Sequence, residues 1–179
     1  GRGGRASWVG GRWDAACCPS GARCSVAPVH ALSLHGGGDR RLEDVPDPRP
    51  APGEVVVRVL AALTCATDAK MMRVGAHPAL GRLPAPLGHE VAGVVEALGP
   101  GVERPRVGER VVVANSAPCG DCADCRADAP NLCPRIVYLT GAFAERVRVP
   151  AAIVASNIHR LPGGLAPEAG AFAEPLACA

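Results

Sequence analysis

Apolar positions come in short runs punctuated by glycine and proline from residue 28 onward. Val29–His35 and Arg41–Val45 bracket the turn-forming stretch Gly36–Asp39 and are expected to form a β-hairpin. Residues 45–54, VPDPRPAPGE, carry four prolines and predict an extended connector, because proline fixes φ and donates no backbone hydrogen bond. The valine-rich run at 54–63 predicts a strand, and TDAKMMRV at 67–74 suits one or two helical turns. Further strands are expected at 91–98, at 109–115 and at 143–150, where apolar and polar residues alternate. The segment APEAGAFAEPLACA at 166–179 reads as a helix broken around Pro175. Many short strands with few helices predict a mainly β (α+β), barrel-like domain over residues 28–179.

Residues 1–27 show neither a period of 2 nor one of 3.6 and are rich in Gly and Arg. They are expected to be a disordered, low-complexity tail, with Cys17, Cys18 and Cys24 incidental to it. They have no continuous apolar stretch of the kind a signal peptide needs.

Composition narrows the picture. The chain is 48% hydrophobic but only 3% aromatic, so aliphatic side chains must fill the core. A net charge of +2 lacks the basic excess of a nucleic-acid or membrane-surface protein. No run of 18 apolar residues is present to make a transmembrane helix. Lys70 is the only lysine among 19 basic residues, a coding bias and not a functional signal. Nine cysteines, an odd number, cannot all pair, and four of them fall close together. Metal-bound thiolates in a reducing, cytoplasmic compartment are the better expectation.

The close-set group is CGDCADCRADAPNLC, with Cys119, Cys122, Cys125 and Cys133 spaced C-x2-C-x2-C-x7-C within a lobe at 115–135. The two-residue gaps let successive sulfurs reach one tetrahedral ion, and the longer gap returns the chain to close the shell. Gly120 eases the first turn, while Pro118 and Pro130 stiffen the lobe. Four thiolates leave no open position, which predicts a structural zinc. An iron–sulfur run would bring its fourth cysteine three residues after the third, and here the gap is seven.

A second, dispersed set contains Cys65 in TCATD, His89 and Glu90 in LGHE, and Glu174 in AEPL. One thiolate, one imidazole and one or two carboxylates suit zinc with a fourth position open to water or substrate. Each residue alone has a plainer reading, a buried thiol, a hydrogen-bonded histidine or solvated charges. Adjacent residues of a strand point to opposite faces, so His89 and Glu90 can share a metal only if the backbone turns at Gly88. Asp68 is placed to hold an imidazole N–H and orient His89.

The order and spacing of RLEDVPDPRPAPGEVVVRV, TCATD, LGHEVAGVVEALGPGV, VGERVVV, the cysteine lobe, GAFAERVRVP and AEPLAC resemble the catalytic domain of the zinc-dependent medium-chain alcohol and polyol dehydrogenases. That resemblance runs from about Val29 to Ala179 and implies a GroES-like, partly open β-barrel. It implies that Cys65 and His89 ligate a catalytic zinc, with Glu90 or Glu174 as the third protein ligand, beside one structural zinc in the lobe. Glu174 in place of the cysteine found in other alcohol dehydrogenases leans toward the polyol and threonine branch. The implied reaction interconverts an alcohol or polyol and its aldehyde or ketone. Thr67 would pass the hydroxyl proton along, and NAD(P) would take the hydride in the complete enzyme. Many members relay the proton through a histidine five residues after the ligand cysteine; Lys70 stands there here.

No G-x-G-x-x-G follows a strand pattern, and no Rossmann domain is expected within these residues. Alone, the chain is expected neither to bind NAD(P) tightly nor to turn over. Its partners would be a small alcohol or polyol and either a second copy of the chain or a cofactor-domain half. The alternative is a zinc-binding module, or relic, that transfers no hydride.

Overall fold

A computed structural model describes residues 28–179; the tail expected at 1–27, with Cys17, Cys18 and Cys24, lies outside the described residues. In chain order the elements are β1 (Val29–Gly36), β2 (Asp39–Val45), β3 (Val55–Leu63), α1 (Ala66–Val74), β4 (Ala85–Pro86), β5 (Glu90–Leu98), β6 (Arg110–Val113), β7 (Ser116–Ala117), α2 (Ala123–Arg126), β8 (Val137–Tyr138), β9 (Arg146–Val149), α3 (Ala151–Ser156), β10 (Ile158–Arg160), α4 (Pro167–Ala171) and α5 (Ala173–Cys178). A single 3-10 turn, Pro130–Leu132, lies between α2 and β8.

The main sheet has the order β10-β6-β5-β3-β9, every neighbour antiparallel. A second sheet has the order β2-β1-β4. The segment just before β9 joins the two. Leu32 N donates to Phe143 O at 2.8 Å and Glu145 N to His30 O at 3.2 Å, while Val59 N of β3 donates to Glu145 O at 2.9 Å. One side of the barrel is thereby closed. β2 and β10 remain edge strands among the described residues, so the barrel is partly open, as expected of a GroES-like domain.

The interior is built from valine. Val55, Val57, Val91, Val95, Val111, Val113, Val147 and Val149 are buried together, from five-stranded pairing that places alternate side chains inward. Each fully buried valine contributes roughly 1.5–3 kcal/mol of transfer free energy, which compensates for the scarcity of aromatics. A second cluster of Leu34, Met71, Leu80 and Leu87 seats α1 against β1.

α1 starts where it does because Cys65 caps it. The thiol accepts from Thr67 N at 3.2 Å, and Asp68 Oδ2 accepts from Cys65 N at 3.1 Å, a reciprocal capping box. The helix ends on Gly75 in the left-handed conformation.

The strands expected at 109–115 and 143–150 are shorter, Arg110–Val113 and Arg146–Val149. Their flanks make other hydrogen bonds outside the sheet ladder: Glu145 to β1, and Asn115 to Leu139 in the loop after β8. The C-terminal break is not at Pro175 but at Phe172, between α4 and α5. Pro175 falls in the first turn of α5, where its missing N–H has no partner to lose.

Candidate metal centres

In the lobe the four sulfurs of Cys119, Cys122, Cys125 and Cys133 gather without forming disulfides. Cys122–Cys125 are 3.4 Å apart, Cys119–Cys133 3.5 Å, and Cys119–Cys125 and Cys122–Cys133 3.9 Å. A tetrahedral ion with metal–sulfur bonds of ~2.3 Å sets its ligands about 3.8 Å apart, so these thiols fit zinc. Gly120 makes the first turn at φ 79°, in the region an L side chain resists. Backbone N–H groups of Cys119, Cys125 and Arg135 point at the sulfurs at 3.4 Å, the polarity that thiolates require.

The thiols pull apart electrostatically. Donation from Cys119 N–H, with further help from Arg135 N–H, lowers the Cys133 thiol to about 7. Burial, followed by the neighbouring Cys122 thiol, pushes Cys125 up to about 12. Four crowded thiols cannot all ionise beside one another; a shared divalent cation removes that obstacle.

The dispersed set converges at the N-terminus of α1. His89 Nε2 is 3.2 Å from Cys65 Sγ and 3.8 Å from Glu90 Oε1. On the other side of the ring, His89 Nδ1 is 3.2 Å from Asp68 Oδ1. Cys65, Asp68 and His89 thus form a compact group, but Asp68 addresses the far nitrogen and leaves Nε2 beside the thiol. A tetrahedral zinc holds sulfur and nitrogen about 3.6 Å apart, within a few tenths of an ångström of the separation here. Burial alone would lower the imidazole, but the Asp68 carboxylate and Cys65 outweigh it and raise His89 to about 9.

Gly88 allows both His89 and Glu90 to reach this spot. It has φ 89°, and a Cβ there would fall 2.6 Å from Phe143 N and 2.7 Å from Phe143 Cδ1. Gly88→Ala is therefore expected to lower stability by ~1–3 kcal/mol, read as a fall in the denaturant midpoint. An unchanged midpoint would show that the turn is not constrained.

Glu90 is buried, and burial, with the adjacent Glu174 carboxyl, raises it above the usual carboxylate range. Its Oε2 has no hydrogen-bond partner. A buried carboxylate oxygen without a donor is costly unless a cation meets it, so the donor set suits a metal.

Cys65, Thr67, His89, Glu90 and Glu174 all line one cavity of about 470 Å³. The structure therefore brings every dispersed candidate to one place. Glu174 arrives from α5, 59 residues after Asn115, whose Nδ2 donates to its Oε1 at 2.5 Å. Lys70 is exposed on α1 and is not a wall of that cavity. His77 and Asn115, which sequence reading did not single out, do line it. Burial, then Lys70 and His89, lower the His77 imidazole, and its Nδ1 accepts from Ala79 N at 3.2 Å. Neither residue stands in a spacing pattern that would have marked it.

The sequence profile of the alcohol dehydrogenase GroES-like domain matches residues 51–162. L-threonine 3-dehydrogenase of Pyrococcus horikoshii is 38% identical over 154 residues, which are 83% of this chain and 43% of that enzyme. Sorbitol dehydrogenase of Bombyx mori is 36% identical over 151 residues, again 83% and 43%. The chain thus spans less than half the length of these relatives. Among solved structures, the cobalt- and zinc-bound thermostable alcohol dehydrogenase of Pyrobaculum aerophilum superposes with a TM-score of 0.69 at 32% identity, covering 82% of this chain and 44% of that one.

Proposed function

Because the chain belongs to the alcohol dehydrogenase GroES-like domain family, we propose that it is the catalytic portion of a zinc-dependent oxidoreductase that interconverts an alcohol or polyol and its aldehyde or ketone. The observation that carries this reading is the convergence of Cys65 Sγ, His89 Nε2 and Glu90 Oε1 at the wall of a cavity large enough for a small substrate. The similarity to threonine and sorbitol dehydrogenases favours a hydroxylated substrate of that size.

Cys65 and His89 would hold the catalytic zinc, with Glu90 or Glu174 completing the protein ligands. Zinc held there supplies Lewis acidity toward a substrate oxygen. The Asp68 carboxylate, 3.2 Å from Nδ1, would hold the His89 proton on that nitrogen when a metal takes Nε2. Thr67, on the cavity wall, would pass the substrate hydroxyl proton along, taking it on its hydroxyl oxygen as its own proton leaves toward solvent. Met71 and Leu139 give that wall an apolar side, which excludes water from the carbinol carbon. Dehydrogenation needs a hydride acceptor, and NAD(P) is the one expected for the complete enzyme. Cys119, Cys122, Cys125 and Cys133 would hold a second, structural zinc. The many free thiols fit a cytoplasmic setting, and among the described residues no helix is long and apolar enough to cross a membrane.

Cobalt(II) loaded in place of zinc tests this reading without the cofactor. Titration with sorbitol or L-threonine is expected to shift the cobalt d–d bands in the wild type and to leave them unmoved in Cys65→Ser. A wild-type spectrum indifferent to either compound would favour the non-catalytic zinc module.

A further inference from the structure

We propose that Asn115 is a positioning residue that presents the Glu174 carboxylate to the Cys65–His89 centre; the inference rests on the reading of Glu174 as a ligand there. Asn115 lies between β6 and β7, and its surroundings are pinned. Its carbonyl accepts from Leu139 N at 2.7 Å, and Ala114 N donates to Asn157 O at 3.0 Å. Asn157 Nδ2 in turn donates to Ser116 O at 2.7 Å. The backbone that carries the amide is thus bonded on both sides, and β6 pairs with β5, the strand that begins at Glu90.

The side-chain amide has only one sensible orientation. Ser116 Oγ donates to Asn115 Oδ1 at 2.9 Å, which leaves the NH₂ group for the Glu174 Oε1 at 2.5 Å. A flipped amide would oppose its oxygen to the carboxylate oxygen and lose the Glu174 bond, whereas the Ser116 hydroxyl can serve either orientation. An amide donor to a carboxylate is a charge-assisted hydrogen bond, stronger than a neutral one.

Glu174 needs such a tether. α5 has six residues, no side-chain cap and no buried residue. The Cys178 thiol also donates to the same Oε1, but at 3.7 Å it holds the carboxylate only weakly. A free glutamate on a short exposed helix would sample many rotamers, and closing it onto a metal would cost side-chain entropy. The hydrogen bond removes much of that freedom beforehand and sets the plane of the carboxylate. It places Glu174 beside Glu90, on the same cavity wall as Cys65 and His89.

The experiment is cobalt(II) binding to the full chain in four forms: wild type, Asn115→Ala, Glu174→Ala and the double variant. The four-cysteine lobe, with its thiolate-to-cobalt charge-transfer bands, is the internal measure of folding. Asn115→Ala is expected to weaken the Cys65-dependent site by about 10–100-fold, the usual consequence of losing an outer hydrogen-bond partner. Its d–d bands should move toward those of Glu174→Ala, and the double variant should bind no more weakly than Glu174→Ala alone. Ser116→Ala, which removes one hydrogen bond to the amide, should show a smaller loss in the same direction. Losses that add in the double variant, or an Asn115→Ala site with wild-type affinity and spectrum, would overturn the positioning role. A Glu174→Ala chain with wild-type binding and spectrum would instead overturn the reading of Glu174 as a ligand, and this inference with it.

Discussion

Cys65→Ser is expected to reduce the zinc content of the folded chain from two ions to one. The substitution is chosen because Cys65 has two duties. Its sulfur caps α1 by accepting from Thr67 N, and it faces His89 Nε2 at 3.2 Å. A serine hydroxyl still accepts at a helix N-cap, so the helix keeps the ~1 kcal/mol that loss of the cap would cost. It does not ionise near neutral pH and is a far poorer partner for zinc than a thiolate. The charge balance of the centre is lost with it, and the affinity should fall by more than the ~10–100-fold that accompanies loss of a supporting hydrogen bond. Elemental analysis after gel filtration reads the result. Two ions retained in Cys65→Ser would remove the basis for a catalytic centre at this cavity, whereas one ion in both proteins would mean that only the lobe is occupied.

Cys133→Ser is expected to have the opposite selectivity and a larger structural effect. The lobe has little else to hold it. α2 is four residues long with nothing buried, Leu132 is exposed, and no disulfide crosses the lobe. The ion pair of Arg135 with Asp121 is solvent-exposed and contributes little. Structural zinc in small metal-dependent folds contributes on the order of 10–16 kcal/mol of binding free energy, and under the proposed reading that free energy would order the loop. Without the fourth thiolate the loop should open while the valine barrel stays folded. Limited trypsin digestion followed by mass spectrometry should then show rapid cleavage after Arg126, which the zinc-loaded wild type resists. Strong chelation of the wild type should reproduce that pattern. A metal-free lobe as resistant as the loaded one would show that packing, and not metal, maintains it.

The two centres differ in how far they could be read from the residues. The lobe is local. Four cysteines within 15 residues must lie near one another whatever the rest of the chain does, so spacing alone pointed to a closed tetrahedral site. Cys65, His89 and Glu174 lie at the N-cap of α1, just ahead of β5 and on α5, and no spacing rule connects them. Only the combined order of motifs, as a family resemblance, brought them together ahead of the structure. Gly88 was legible as a turn because it stands directly before two adjacent residues that could not otherwise face one metal.

Strand patterns of seven to nine residues, as in β1, β3 and β5, were readable because alternation needs several positions to show itself. The two-residue strands β4, β7 and β8 show no period at all, and α3 is too short to display an amphipathic face. Their formation depends on partners distant in the chain. Pro175 marked the C-terminal helix break in the wrong place because proline disrupts a helix interior but is tolerated in a first turn, and only the packed structure shows which turn it occupies.

By itself, then, the sequence determined the mainly β character, the valine core, the four-thiolate lobe and the chemical kinds of ligand available. Tertiary structure decided which nitrogen of His89 faces Cys65, that Asp68 takes the other, and that Asn115 reaches Glu174. The physical reason is that composition and local period act over a few residues, whereas a dispersed site depends on side-chain directions that only strand pairing across the barrel can set.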